Sequence, residues 1–191
     1  MSPRIGLDLP TILEAATEIA DTQGFDQVTL AAIAQKFNIR PPSLYNHVNG
    51  LQGIRQLLKL HGLTILHSNL SQAVQGKNGD EAVHALSDVY MAFARMHPGL
   101  YEATIPAPEV EDQEAVMLGE QIVRIFIEVL QTYGLDQEMS IHATRGLRSI
   151  CHGFASLEQQ GGFGIPLDLD LSQKLVLNSF LAGLQQMKNL L

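Results

Sequence analysis

The 191-residue chain is 46% hydrophobic and 17% charged, with a net charge of −8 at pH 7, a balance that excludes a disordered acidic tail and allows one large domain or two modest ones to bury a core. No apolar run approaches the ~18 residues of a membrane span, and Arg4 is followed by an amphipathic, Asp-containing segment rather than a secretory signal. The single cysteine, Cys151, cannot close an intrachain disulfide, which suits the reducing cytoplasm where the protein is expected.

Leu9, Ile12, Leu13, Ala16, Ile19 and Ala20 keep the helical period over three turns, with Asp8 as predicted cap, Pro10 in the first turn and Gly24 as the stop. The stretch from Thr29 to Val48 then reads as two short helices joined by a tight turn. Leu30, Ile33, Ala34 and Phe37 share one side of a helix capped by Thr29. Asn38 tolerates the left-handed conformation of a helix exit, and Pro41 and Pro42 suit a new first turn. The second helix, Pro41 to Val48, has one apolar anchor, Leu44; Ser43, Tyr45, Asn46 and His47 are all able to hydrogen-bond. Such a helix is built to be read from outside. Phe25 and Val28 close the first face, giving a three-helix unit.

Asn49-Gly50-Leu51-Gln52 has capping-box spacing, so a longer helix is expected to run through Leu57, Leu58, His61 and Ile65 to about Gln75. A helix from Asp80 to His97 follows, closed by Pro98-Gly99. A loop holding Ile105, Pro106, Ala107 and Pro108 precedes a helix from Val110 to Tyr133. Glu138 to Gln160 and Leu169 to Leu190 complete the chain, separated by the glycine-rich connector from Gly161 to Pro166. No period-2 strand appears, so the expected fold class is all-α. A helix-turn-helix DNA-binding domain is expected over residues 1–50, and a helical bundle for ligand binding and dimerisation over 51–191.

Charge distribution fits that division, the alternative being chance clustering of solvated charges. From Gln27 to Gly79 there is no Asp or Glu, while Lys36, Arg40, Arg55, Lys59 and Lys77 give +5; residues 80–191 carry −9. A neutral-to-basic window in an acidic protein suits a small DNA-contacting face with modest phosphate attraction. In the last helix, Leu171, Leu175, Val176, Leu177, Phe180, Leu181, Leu184 and Met187 cover more than one stripe, and Lys174 and Lys188 are the charges between Leu171 and Leu191. A helix so apolar needs burial on more than one side. A second copy of the chain is the expected source, with the interface on Ile150, Phe154, Leu177, Phe180, Leu181 and Leu184; the alternative is a central helix in a monomeric bundle.

No catalytic constellation is legible, and the chain is not expected to be an enzyme or to hold a cofactor. Glu81, His84 and Asp88 share a helix face, yet polar residues at that spacing are what any solvated face shows. Cys151 and His152 are sequence neighbours pointing about 100° apart, which is not a nucleophile pair. Tyr90, Met91, Phe93, Ala94, Met96, His97 and Tyr101 serve either as core or as the lining of a cavity between bundle helices. The predicted pocket takes Tyr90, Phe93, Met96, His97 and Tyr101, with Phe126 and His152.

The first helix with its Gly24 stop, TLAAIAQKFNI and RPPSLYNHV resemble the N-terminal domain of the tetracycline-repressor (TetR) family of transcriptional regulators, with Tyr45 and His47 at the family's positions. The stretch from Arg145 to Asp170 is similar to the WHG-type C-terminal domain found in part of that family. The resemblance implies an all-α homodimer that binds a palindromic double-stranded DNA operator, represses, and is released by a small-molecule effector in the C-terminal domain. It places Arg40, Pro41, Pro42, Ser43 and Tyr45 nearest bases or backbone, and Thr29 and His47 on phosphate. Asn46 stands where the family commonly has an aromatic and is expected among the DNA-facing residues; Leu51 stands where the family often has Lys. Arg4 is the one cation ahead of the first helix, so no basic arm is expected. The alternative is an all-α small-molecule-binding protein or enzyme whose N-terminal helices are structural only.

Overall fold

The protein is described over residues 7–187 in a computed structural model, the side chain of Met187 excepted. Arg4, Lys188, Leu190 and Leu191 therefore lie outside the described residues. The elements are α1 (Leu9–Gln23), a 3-10 turn (Phe25–Gln27), α2 (Leu30–Lys36), a 3-10 segment (Pro41–Asn46), α3 (Gly50–Ala73), α4 (Gly79–Met96), α5 (Pro98–Thr104), α6 (Gln113–Gln131), α7 (Gln137–Gln159) and α8 (Leu169–Met187). No strand occurs among the described residues, as the all-α expectation requires. The chain forms two compact units: residues up to Thr64 with Met96–Val116, and Ile65–Arg95 with Met117 onward.

In the first unit α1 starts on its predicted cap. The Asp8 carboxylate accepts the Thr11 amide at 2.9 Å, and this bonding holds its pKa below the ordinary value. The opposite face of α1 buries Ile12, Ala16, Ile19 and Ala20. Helix α5 is an element the sequence reading lacked, because Pro98-Gly99 was expected only to close the preceding helix. A proline at the first helical position opens a helix equally well, since the missing amide has no intrahelical partner there.

Helix α5 has no cap of its own and takes one from α1. Asp21 accepts the amides of Gly99 (2.9 Å) and Leu100 (3.1 Å) through Oδ1, while Oδ2 lies 3.0 Å from His97 Nδ1. An acid at a helix N-terminus satisfies orphan amides and complements the helix dipole. The approach is very close: a Cβ at Gly99 would sit 2.2 Å from the Ala20 carbonyl carbon. On α3, a Cβ at Gly62 would meet Thr104 at 2.8 Å. Two glycines thus let α5 pack onto α1 and onto α3. His61 of α3 lies near this junction, and burial, followed by the nearby His97, lowers its pKa.

The second unit is a bundle with buried Leu66, Leu70, Leu86, Met91, Phe93, Leu130 and Leu147. A buried polar chain crosses it: Gln173 Nε2 donates to Ser87 Oγ at 2.6 Å, and Ser87 Oγ lies 3.3 Å from Cys151 Sγ. Burial pushes the Cys151 thiol up to about 11, which makes it inert as a nucleophile at neutral pH. Arg95 ties α4 to Glu158 at 2.9 Å and to Asp170 at 2.6 Å. Among the described residues no group of three His, Cys, Asp or Glu is arranged to hold a metal ion.

The last helix corrects part of the expected interface. Leu177, Leu181 and Leu184 are 1%, 2% and 3% exposed within the single chain, so they belong to the subunit's own core and offer no surface to a partner. Phe180 is half-buried with its ring 3.0 Å from where a Cβ on Gly146 of α7 would sit. Ile150 and Phe154 are also half-buried, and Phe154 stacks on Phe163 at 5.6 Å. The exposed apolar side chains of α8 are instead Leu171, Leu175 and Val176.

Candidate nucleic-acid interface

Thr29 caps α2, its hydroxyl accepting the Ala32 amide at 3.0 Å. The helix ends as expected at Asn38, which takes φ 53°, while the Ile39 amide returns to the Ala34 carbonyl at 3.0 Å. That pattern satisfies the orphan carbonyls of the last turn and reverses the chain sharply. Arg40 is extended, with φ −85° and ψ 141°, the conformation a following proline imposes.

The segment beginning at Pro41 was expected to be an α-helix to Val48. It is a 3-10 helix over Pro41–Asn46, a tighter coil that seldom runs further. Its bonds include Ser43 N–H to Arg40 O at 3.0 Å and His47 N–H to Leu44 O at 2.9 Å. Leu44 is fully buried and Val48 is 7% exposed. Pro41, Pro42, Ser43, Asn46 and His47 are all exposed, as are Thr29 and Arg40, and Tyr45 is 61% exposed. The expected DNA-facing residues are therefore all solvent-exposed, most of them on a segment whose one buried side chain is Leu44.

Several of the cations in the acid-free window already have intrachain contacts. Lys36 pairs with Glu18 at 2.5 Å, Lys59 donates to the Ala107 carbonyl at 3.2 Å, and the Arg55 guanidinium lies 5.2 Å from the centre of the Phe25 ring. Arg40 is the cation on the exposed segment itself. Gln52, expected to close a capping box, turns its amide toward Glu109 at 3.5 Å.

The residues expected to line a ligand pocket are divided between the two units. Tyr90, Phe93 and Phe126 are buried in the second and His152 is half-buried there. Met96, His97 and Tyr101 belong to the first unit. Met96 is 61% exposed, Tyr101 is 1% exposed, and His97 is bound to Asp21. Of the two residues that fix α5, Asp21 carried no signal in the sequence and Gly99 only that of a helix stop, because they are more than seventy residues apart.

Comparison with known proteins agrees with this arrangement. Residues 12–47 match the family model for bacterial regulatory proteins of the tetR family, and residues 83–180 match the tetracyclin repressor-like C-terminal domain. The uncharacterised HTH-type transcriptional regulator YobS of Bacillus subtilis is 44% identical over 185 residues, covering 96% of each chain. A Rhodococcus protein of unknown function aligns with TM-score 0.76 at 20% identity over 96% of this chain and 98% of its own. A substituted TetR from Acinetobacter baumannii, in complex with minocycline, aligns with TM-score 0.69 at 19% identity over 95% of this chain and 98% of its own. With both family models matched in their proper order and a relative this similar along the whole chain, the protein belongs to the TetR family of helix-turn-helix transcriptional regulators.

Proposed function

We propose that this regulator acts as a homodimeric repressor, inserting the segment from Pro41 to His47 into the major groove of a palindromic operator and leaving it when a small molecule binds the C-terminal domain. The observation that carries the reading is the exposed set Arg40, Pro41, Pro42, Ser43, Tyr45, Asn46 and His47 above the single buried Leu44. Short polar side chains on a protruding segment suit base edges and phosphates, with Thr29 and His47 on phosphate. Two symmetric copies read half-sites about 34 Å apart or a multiple of it. Within this proposal DNA recognition lies in residues 1–50, and effector binding and dimerisation lie in residues 51–191.

Mobility shift on DNA flanking the protein's own gene tests it. Binding is expected to weaken as salt rises, and the double substitution Arg40→Ala with Tyr45→Ala is expected to weaken specific binding by about 30-fold or more. Equal affinity for unrelated duplexes, unchanged by the double substitution, refutes the proposal.

For the dimer, Leu175 at 59% and Val176 at 43% exposure supply apolar surface that α8 does not bury within its own chain, alongside half-buried Phe180, Phe154 and Ile150. Leu175→Asp with Val176→Asp is expected to give a folded monomer by light scattering, because both side chains lie outside the subunit core. A fully dimeric double variant would move the interface elsewhere. Small-molecule binding by this domain is supported by the minocycline complex of the Acinetobacter structural neighbour and by the aromatics Tyr90, Phe93 and Phe126, with His152 on α7.

A further inference from the structure

Within the first unit a groove of about 470 Å³ runs along the N-terminal turns of α3, well inside the range of small-molecule sites. One wall is the α3 face carrying Leu51, Arg55 and Lys59; the facing wall carries Pro106, Glu109 and Asp112, and Phe25 also lines the space. Arg55 and Lys59 are one turn apart, so both cations sit on one side of the helix. The groove thus has a cationic wall, an acidic wall and an apolar lining.

The two walls do not neutralise each other. Among the described residues, neither Arg55 nor Lys59 comes within 4.0 Å of a Glu109 or Asp112 oxygen. The carboxylate at Arg55 is that of exposed Asp26, 4.0 Å away, and Lys59 spends one donor on the neutral Ala107 carbonyl. Asp112 Oδ1 accepts the Ala115 amide at 3.2 Å. Glu109 has a distant neutral neighbour, the Gln52 amide at 3.5 Å. Opposite charges that served only to strap residues 106–112 onto α3 would gain most in direct contact, where an ion pair is strongest. Here they face a shared space of ligand size and remain apart.

We propose that this groove binds a small zwitterion bearing a large apolar side chain, with the chemistry of a free aromatic or large aliphatic α-amino acid. Arg55 and Lys59 receive the carboxylate, for which a guanidinium fork is geometrically suited. Glu109 receives the ammonium group, and Leu51 and Pro106 take the side chain, while the Phe25 ring lies under the Arg55 guanidinium. The Asp112 oxygen engaged by Ala115 serves helix α6 and is not assigned to the ligand. This site lies in the first unit and is independent of the Pro41–His47 reading.

Titration calorimetry on the full, DNA-free chain tests the assignment with three probes: L-phenylalanine, 3-phenylpropanoate, which lacks the amine, and 2-phenylethylamine, which lacks the carboxylate. L-Phenylalanine is expected to bind, and each analogue to bind about tenfold more weakly or worse, since each leaves one charged wall unmatched. Arg55→Gln with Lys59→Gln is expected to reduce L-phenylalanine binding about tenfold while leaving 2-phenylethylamine unchanged. Glu109→Gln should reduce L-phenylalanine binding and spare 3-phenylpropanoate. Absence of L-phenylalanine binding at millimolar concentration overturns the proposal, as do equal affinities for all three probes on the unaltered protein, a comparison that needs no variant to fold. L-Phenylalanine binding that both sets of substitutions leave intact overturns the placement in this groove.

Discussion

Gly99→Ala is expected to destabilise the first unit by about 3 kcal/mol or more, at or above the upper end of ordinary overpacking. The added Cβ would lie 2.2 Å from the Ala20 carbonyl carbon, 2.3 Å from its oxygen and 2.5 Å from its Cβ. Two of these three are backbone atoms, so no side-chain rotation relieves the clash. Helix α1 cannot retreat freely either, because Ile12 and Ala16 are 0% exposed and Ile19 is 3% exposed on its inner face. Displacing α5 instead would pull the Gly99 and Leu100 amides away from Asp21, leaving a carboxylate and two helix-end donors to find water. Thermal unfolding followed by circular dichroism is the measurement, and a midpoint lowered by about 10 °C is expected. Gly153→Ala is the control: a Cβ there meets nothing within 4 Å, and in mid-helix α7 the change should be neutral or stabilising by up to about 1 kcal/mol. If Gly99→Ala melts with the unaltered protein, the close approach of α1 and α5 is wrong.

The same residues show why some of the molecule could be read from its sequence and some could not. Asp8 with Thr11, Thr29 with Ala32, and Asn38 at φ 53° act across four residues or fewer, so residue type and spacing reveal them. The exposed face above Leu44 was legible for the same reason. Helix α5 was not, because Pro98 and Gly99 punctuate a chain in either direction and the deciding contact, with Asp21, is remote in sequence. Pro41 and Pro42 announced a new turn without revealing that it would wind as a 3-10 helix. Apolar coverage of α8 implied burial on more than one side, whereas the chain by itself buries one stripe, Gln173, Leu177, Leu181 and Leu184. Coverage alone did not divide Leu177, Leu181 and Leu184, which enter the subunit core, from Leu175 and Val176, which do not. The groove on α3 joins Phe25, Arg55 and Glu109 from three distant stretches, and no local pattern encodes such a meeting.

Leu44→Ala is expected to abolish operator recognition while leaving the bulk of the protein folded. Leu44 is fully buried, whereas its neighbours Pro41, Pro42, Ser43, Tyr45, Asn46 and His47 are exposed. Removing a buried leucine side chain costs about 2–5 kcal/mol through lost burial and the cavity left behind. In a long helix that loss would be shared by many contacts. Here it falls on six 3-10 residues whose backbone bonds are intrinsically weak. The first consequence is therefore local opening of the segment rather than global unfolding. If only the docked segment binds DNA, apparent affinity falls with the docked fraction, by up to about 30-fold at the lower end of that cost and by more toward its upper end. Far-UV circular dichroism should change little, since the segment supplies only the six residues Pro41–Asn46 to a chain that is otherwise built of long helices. Leu44→Met, similar in volume and flexible, should retain most of the affinity. Operator binding by Leu44→Ala equal to that of the unaltered protein would show that the Pro41–His47 face is not held from beneath by Leu44, and would remove the structural basis for assigning it to the groove.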